Sequence, residues 1–286
     1  MAKIVVTGVG GPAGRNVARL LKERGHTVIG ADMRDVDLPG LDFLLVPPVS
    51  ASDFLDKLHC ITMERAAELV IPTVTEELPI IAAARDRWKN IPVVIAPYQA
   101  VSTANDKYLT CRHLSSRGIG VPRYALPSEV KSRLDVSKKV GWPCLSKPRI
   151  GRGGRGVTVH VEQDWPVIAG MDDRYILQEF APGTDYCPNL YLNRQGDAIV
   201  EVMEKTLLKE GIVGNALEVK RVDAPDVASL AVSAVRSLDF CGPVDVDIRR
   251  LADGCPVVLE INARFGANVA NVPEIIDAML ADNGFA

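Results

Sequence analysis

Short apolar runs at residues 3–7, 27–31, 43–46, 69–72 and 93–95 alternate, over the first hundred residues, with stretches of helical periodicity after Pro12, before Arg65 and after Pro72. Strands that alternate with helices in this way predict a parallel sheet covered by helices on both faces. A further helix is expected after Asn105, carrying Tyr108, Leu109 and Leu114 and stopping at Gly118. Beyond Pro122 the texture changes to strands at 157–161, 175–180, 186–192 and 198–204, the last two joined by a turn at 193–197. This half reads as antiparallel, and the change places a domain boundary near residue 100. Pro225 opens a helix whose apolar residues Val227, Leu230, Ala231, Ala234, Val235 and Leu238 form one stripe ending before Gly242.

The 286 residues, 47% hydrophobic, are enough for a substantial core in one large or two medium domains. A net charge of −3 gives no general electrostatic reason to bind nucleic acid or an anionic membrane, so any phosphate site must be local. The apolar run at the amino terminus meets glycines too soon for a signal-peptide core or a membrane span, and the expected location is the cytoplasm. Six cysteines without a Cys-x-x-Cys pair read mostly as buried reduced thiols, and the four dispersed histidines as structural or surface residues.

Thr7-Gly8-Val9-Gly10-Gly11-Pro12-Ala13-Gly14 follows a strand and opens a helix, with Asp32 ending the next strand where a ribose-binding acid would sit. One reading is an NAD(P)-binding reductase. The Tyr-x-x-x-Lys pair that usually accompanies the TGxxGxxG spacing is missing. The other reading is that the glycines allow a tight turn and close helix–strand contact, in a domain that binds substrate or supports the fold.

No GxxxxGK[ST] motif is present, but a short strand ends at Lys147 and is followed by Gly151-Arg152-Gly153-Gly154-Arg155-Gly156. Four glycines in six residues make a hairpin whose backbone N–H groups can close over anionic oxygens, with Lys147 as a fixed cation. The alternative is an ordinary solvated hairpin with a snorkelling lysine.

Residues 244–262 alternate strictly. Val244, Val246 and Ile248 share one face, with Asp245, Asp247 and Arg249 on the other; the second arm separates Val257, Leu259 and Ile261 from Glu260 and Asn262. A two-residue turn at Asp253-Gly254 would set Asp247 across from Glu260 and Asp245 across from Asn262. Cross-strand neighbours approach to about 5 Å, so two ionised acids there call for a cation between them, and hard oxygen ligands suit Mg²⁺. Otherwise the acids form the solvated face of an edge hairpin.

Taken together these motifs resemble the ATP-grasp superfamily, in particular proteins similar to the carbamoyl-phosphate synthetase large subunit and carboxylate–amine ligases. The resemblance implies α/β and α+β architecture: a Rossmann-like preceding domain at 1–100, a small lobe with the glycine-rich lid at 101–178 and a large lobe with the Mg²⁺ site at 179–286. It implies nucleotide contacts at Lys107, Lys147, Gly153, Gly154, Arg155 and Gly156, an adenine edge at Gln178, Glu179, Phe180 and Ala181, and ribose contact at Asp185, where the family usually has glutamate. Asp247, Glu260 and Asn262 match magnesium ligands. Arg264 matches the arginine that steadies the transferred phosphate, acting with Lys147, while Ala263 replaces a common proline. Lys205, Gly211, Gly214, Lys220 and Arg221 fall where the family has a mobile loop.

The implied activity is ATP- and Mg²⁺-dependent: a carboxylate is activated as an acyl phosphate and attacked by an amine or other nucleophile, with release of ADP and phosphate. Small-molecule carboxylates and amines are the expected partners, without nucleic acid or membrane, and a homodimer is the assembly allowed for. With 22 residues after Arg264, the resemblance also implies a short carboxy-terminal wall or one completed by a partner subunit. A non-catalytic ATP-binding assembly subunit is the remaining alternative.

Overall fold

The computed structural model describes residues 1–151, 153–210 and 213–285. Strand β1 (Lys3–Thr7), helix α1 (Pro12–Glu23), β2 (Thr27–Asp32), β3 (Asp42–Leu45), α2 (Phe54–Glu64), β4 (Leu69–Ile71) and α3 (Leu78–Ala83) build a parallel sheet of order β3-β2-β1-β4. The run Ile4-Val5-Val6 at the middle of β1 is continuously apolar because both faces of the sheet are covered. Ile4 and Val6 pack with Val17, Leu20 and Leu21 of α1, while Val5 packs with Phe54, Leu58 and Ile61 of α2.

The run at 93–95 does not continue this sheet as a strand. It makes one parallel bridge, Val70 to Val93, and the Ile95 N–H then turns back to the Val93 carbonyl at 2.9 Å, which takes it out of the ladder. Helix α4 (Tyr98–Asn105) was not expected; it spans residue 100 and is followed, after the extended Asp106, by α5 (Lys107–Ser115).

Strand β5 (Tyr124–Ala125), α6 (Arg133–Lys139), β6 (Cys144–Pro148), β7 (Thr158–His160), α7 (Trp165–Ala169) and β8 (Tyr175–Glu179) form an antiparallel sheet of order β5-β8-β6-β7. It has its own small core, including Ala125, Val136, Cys144, Ile168 and Leu177.

The remaining elements are β9 (Asp185–Leu192), β10 (Ala198–Glu210), β11 (Val213–Arg221), α8 (Pro225–Arg236), β12 (Gly242–Arg250), β13 (Pro256–Asn262) and α9 (Glu274–Asp282). The five strands pair antiparallel in the order β11-β10-β9-β12-β13. On one face Tyr186, Leu190, Val246, Ile248 and Val258 meet Val227, Ala231, Ala234 and Val235 of α8, in a core continuous with the α2 side of the parallel sheet. On the other face Cys187, Tyr191 and Met203 join α1 and the Ile275, Ile276 and Met279 side of α9. What remains of that second face is polar, and it carries the site.

The hairpin differs from expectation in an instructive way. Its turn holds three residues, not two, since the Leu251 N–H donates to the Cys255 carbonyl and Arg250 pairs with Pro256. A bulge at Leu259 then shifts the register, so that Ile248 faces Val258 whereas Asp247 faces Glu260 and Asp245 faces Asn262. The expected acid pairing is therefore present, but the faces of the second arm change: fully buried Val258, not Leu259, joins Ile261 in the core.

Cys111, Cys144 and Cys187 are buried, but Cys60 on α2 and Cys255 at the hairpin turn are exposed, because each lies on a solvent-facing surface. Among the described residues no helix is long and apolar enough to cross a membrane.

Candidate active site

Asp185 of β9 lies between two cations on neighbouring strands. Lys205 Nζ of β10 is 3.2 Å from its Oδ1, and Arg249 Nη2 of β12 donates to its Oδ2 at 2.8 Å. The same Lys205 Nζ donates to Asp247 Oδ1 at 2.5 Å. Glu260, opposite Asp247, is met by Lys107 Nζ at 3.2 Å. The two facing acids are thus each balanced by a lysine ammonium.

Burial pulls the Lys205 pKa down, but Asp247 and Asp185 outweigh it and the net direction is up, so the ammonium stays charged. Burial pushes Asp247 up, yet Lys205, by charge and hydrogen bond, takes it below the usual aspartate range. Asp245 goes the other way: burial, then the charge of Asp247, push it up to about 6 against the pull of Arg264. Among the described residues its Oδ1 is buried without a hydrogen-bond partner, while Oδ2 accepts from Arg264 Nη1 at 3.2 Å. Arg264 Nη1 also donates to the Phe265 carbonyl at 2.9 Å, and Asn262 Nδ2 reaches Asp247 Oδ2 at 3.4 Å.

The small sheet supplies the facing wall. Alternation along β6 turns Leu145 and Lys147 to the cleft and buries Cys144 and Ser146, whose hydroxyl lies 2.7 Å from His160 Nε2. Lys147 Nζ approaches the Leu259 carbonyl at 3.4 Å, and burial lowers its pKa despite the opposing charge of Glu260. Gly151, Gly154 and Arg155 fold over this wall, where Lys107 Nζ donates to the Gly151 carbonyl at 2.9 Å. Gly153 and Gly154 are successive left-handed residues with φ of +66° and +72°, a conformation that needs glycine. Arg152 lies outside the described residues.

Lys107 is held in place by its neighbour. Asp106 caps α5 by accepting the N–H groups of Tyr108 and Leu109, and it binds Arg149 Nη2 at 2.6 Å. The resulting cleft, about 110 Å³, brings together Lys107, Lys147, Gly154, Arg155, Asp185, Lys205, Asp247, Arg249 and Glu260.

Other expected residues stand apart from this void. Gln178 is fully buried with its amide directed to Cys111 Sγ, Glu179 pairs with Arg123 Nη2 at 2.9 Å, and the Ala181 carbonyl faces Arg249; none of them, nor Phe180, lines the cleft. Gly153, Gly156, Asn262 and Arg264 are likewise not among the residues that line the cleft. The expected mobile loop is instead a long hairpin, because the β10 pattern continues past residue 204: Lys205 is anchored in β10, and Lys220 and Arg221 pair with Glu204 and Met203 at the far end of β11. Gly211 lies outside the described residues. Leu145, Arg249 and Leu259 line the cleft without having been expected there from the sequence. Arg249 was visible on the polar face of the alternation, whereas the bulge that redirects Leu259 leaves no mark in the hydrophobic pattern.

Among the described residues no three His, Cys, Asp or Glu side chains form a closed metal cage. Asp247, Glu260 and Asn262 nevertheless form a donor set of hard oxygens, which fits Mg²⁺, an ion that leaves much of its coordination to water and phosphate. The amino-terminal glycine loop is already satisfied by the protein: Gly10 N–H donates to Asp32 Oδ2 at 2.9 Å, and a Cβ at Gly14 would lie 2.3 Å from the Gly8 carbonyl oxygen. These contacts serve the tight turn and the close approach of α1 to the sheet.

Residues 104–268 match the ATP-grasp domain. The chain is 27% identical over 246 residues to a probable alpha-L-glutamate ligase of Psychromonas ingrahamii, covering 75% of this chain and 78% of that one. It is 24% identical over 143 residues to the carbamoyl phosphate synthase large chain of Streptomyces avermitilis, which is 49% of this chain but only 13% of that longer relative. N5-carboxyaminoimidazole ribonucleotide synthetase from Thermotoga maritima aligns with a TM-score of 0.69 at 20% identity, over 92% of this chain and 69% of its own. Biotin carboxylase from Campylobacter jejuni aligns with a TM-score of 0.75 at 15% identity, over 100% of this chain and 71% of its own. Both structures share the mixed α/β fold.

Proposed function

Because the chain belongs to the ATP-grasp family, we propose that it is an ATP- and Mg²⁺-dependent ligase that activates a carboxylate as an acyl phosphate and passes the acyl group to an amine. The observation that carries this reading is the cleft in which the glycine hairpin and the cations Lys107 and Lys147 face the oxygen donors Asp247 and Glu260. A triphosphate needs cations along its length and carboxylates at its metal, and the two walls supply one each.

The reading carries a division of labour with it. Residues 1–100 form the preceding Rossmann-like domain, 101–178 the small lobe and 179–286 the large lobe. Lys107 and Lys147 bind the phosphates, and the backbone of Gly153, Gly154, Arg155 and Gly156 covers them and excludes water. Leu145 and Leu259, which line opposite walls, offer apolar surface to a flat base beside the Gln178–Ala181 segment. Asp185 takes the ribose hydroxyls after giving up part of its contact with Lys205.

Asp247, Glu260 and Asn262 would hold Mg²⁺, which when bound supplies Lewis-acid stabilisation of phosphoryl oxygens. Lys147 and Arg264 stabilise the negative charge that spreads over the transferred phosphoryl group. The carboxylate oxygen forms a bond to the γ-phosphorus as the bond to ADP breaks. The amine then forms the amide and phosphate leaves with that carboxylate oxygen. The name of the glutamate ligase relative supports amino-acid carboxylates as the first compounds to screen.

The test begins with a screen of amino acids and small carboxylates for ATP-dependent phosphate release, followed by turnover of the active compound labelled with ¹⁸O in its carboxylate. One label should appear in the released phosphate; unlabelled phosphate during turnover rules the route out. Titration with NADPH should give no saturable fluorescence change, in keeping with the internally satisfied glycine loop.

A further inference from the structure

Lys205 contacts both an expected metal ligand and the expected ribose ligand. Its ammonium is 2.5 Å from Asp247 Oδ1 and 3.2 Å from Asp185 Oδ1, and its side chain is only 10% exposed. Alternation along β10 directs it there, and a bulge between Lys205 and Leu207 follows immediately, so this position is set apart from the regular ladder beyond it. The partner acids sit on different strands, β9 and β12, and Asp185 is also held from the far side by Arg249 at 2.8 Å.

From this geometry we infer that Lys205 is a resident stand-in for the metal, occupying Asp247 until a nucleotide arrives and thereby making metal binding depend on nucleotide binding. The inference rests on the ATP-and-Mg²⁺ reading of the same cleft. A divalent ion that approaches the free protein must compete with a buried ammonium for Asp247, and the displaced ammonium keeps Asp185 as its other carboxylate partner among the described residues. A bound nucleotide changes both conditions. Its phosphates give Lys205 a new anionic partner, and its ribose competes for Asp185, so the lysine leaves the metal position at little electrostatic cost. By reciprocity, the metal then tightens the nucleotide by the same factor.

Substituting Lys205 by methionine removes the competing charge while keeping most of the stem volume. The measurement is Mn²⁺ binding by electron paramagnetic resonance, with the full chain, with and without a non-hydrolysable ATP analogue. Wild type should bind Mn²⁺ weakly alone and much more tightly with the analogue. K205M should bind Mn²⁺ alone at least about tenfold more tightly than wild type, with a correspondingly smaller gain from the analogue, and K205R should behave as wild type. Lys205→Gln, neutral and polar, replaces methionine if K205M does not melt cooperatively. Equal or weaker nucleotide-free Mn²⁺ affinity in the neutral variant, beside analogue-dependent binding in wild type, overturns the stand-in role alone. Absence of Mn²⁺ binding to wild type even with the analogue overturns the ATP-and-metal reading itself.

Discussion

Asp247 and Glu260 face one another because β13 bulges at Leu259, which converts the register set by the three-residue turn into one that opposes the two carboxylates. At the same bulge the Leu259 carbonyl lies 3.4 Å from Lys147 Nζ. A single irregularity therefore sets both the spacing of the acids and the reach of the facing lysine.

Replacing Glu260 by glutamine, or Asp247 by asparagine, removes the negative charge with little change in shape. Each variant should lose at least about 100-fold in ATP-dependent turnover, comparable to or greater than the loss on disturbing metal-ligand support, while the melting profile stays cooperative. Wild-type turnover in either variant would exclude that carboxylate from the metal role.

Lys147 ties activity to the alkaline side of the pH profile. Burial lowers its pKa below the usual lysine value, so the cation is lost as pH rises through that lowered value. Turnover should fall on the alkaline side earlier than an ordinary lysine would allow, and K147R should move that limb to higher pH. Coincident alkaline limbs in the two proteins would assign the fall to another group.

Asp245 ties stability to mild acidity. Its folded-state pKa, pushed up to about 6 from 3.8, means that the folded protein prefers the protonated acid; stability is highest below the unfolded value and is lost as pH rises through about 6. The loss is on the order of 2–3 kcal/mol across this window, from roughly 1.4 kcal/mol per unit. D245N should flatten the change in unfolding free energy between pH 4 and 6, measured by urea titration; an unchanged slope would refute the assignment. Asp247 has the opposite sign, its contribution being lost only as pH falls below the ordinary aspartate range, so the two effects occupy different windows.

Asp106 combines a helix cap with an ion pair to Arg149 next to Lys107. D106A should cost about 2–3 kcal/mol, a cap of about 1 plus a partly buried charge pair. It should also weaken ATP-analogue binding by isothermal titration, because the anchor of the Lys107 helix is lost. Unchanged affinity would separate Lys107 from its cap.

Much of this was legible in the chain because the relevant patterns are local. The parallel sheet follows from apolar runs alternating with helical stretches, and the acid row on β12 from strict period-two alternation. Lys147 and the glycine hairpin are contiguous. What escaped depends on contacts distant in the chain: α4, whose buried residues face the shared core; the Leu259 bulge, which arises from pairing; and the extension of β10, whose polar residues resemble a loop until Lys205 finds Asp185 and Asp247. The Gly10 contact with Asp32 is another case, since TGxxGxxG fixes the turn but not what its amides will hold.

The small sheet keeps an apolar centre of its own, separate from the core that fuses the parallel sheet to the five-stranded one. Its cleft side meets the rest of the chain through polar contacts, Lys147 Nζ with the Leu259 carbonyl and the Gly151 carbonyl with Lys107 Nζ. A shift of the small sheet toward or away from the acids would first change these polar contacts, whereas the Lys107 ion pair with Glu260, only 7% and 19% exposed, is screened little by salt.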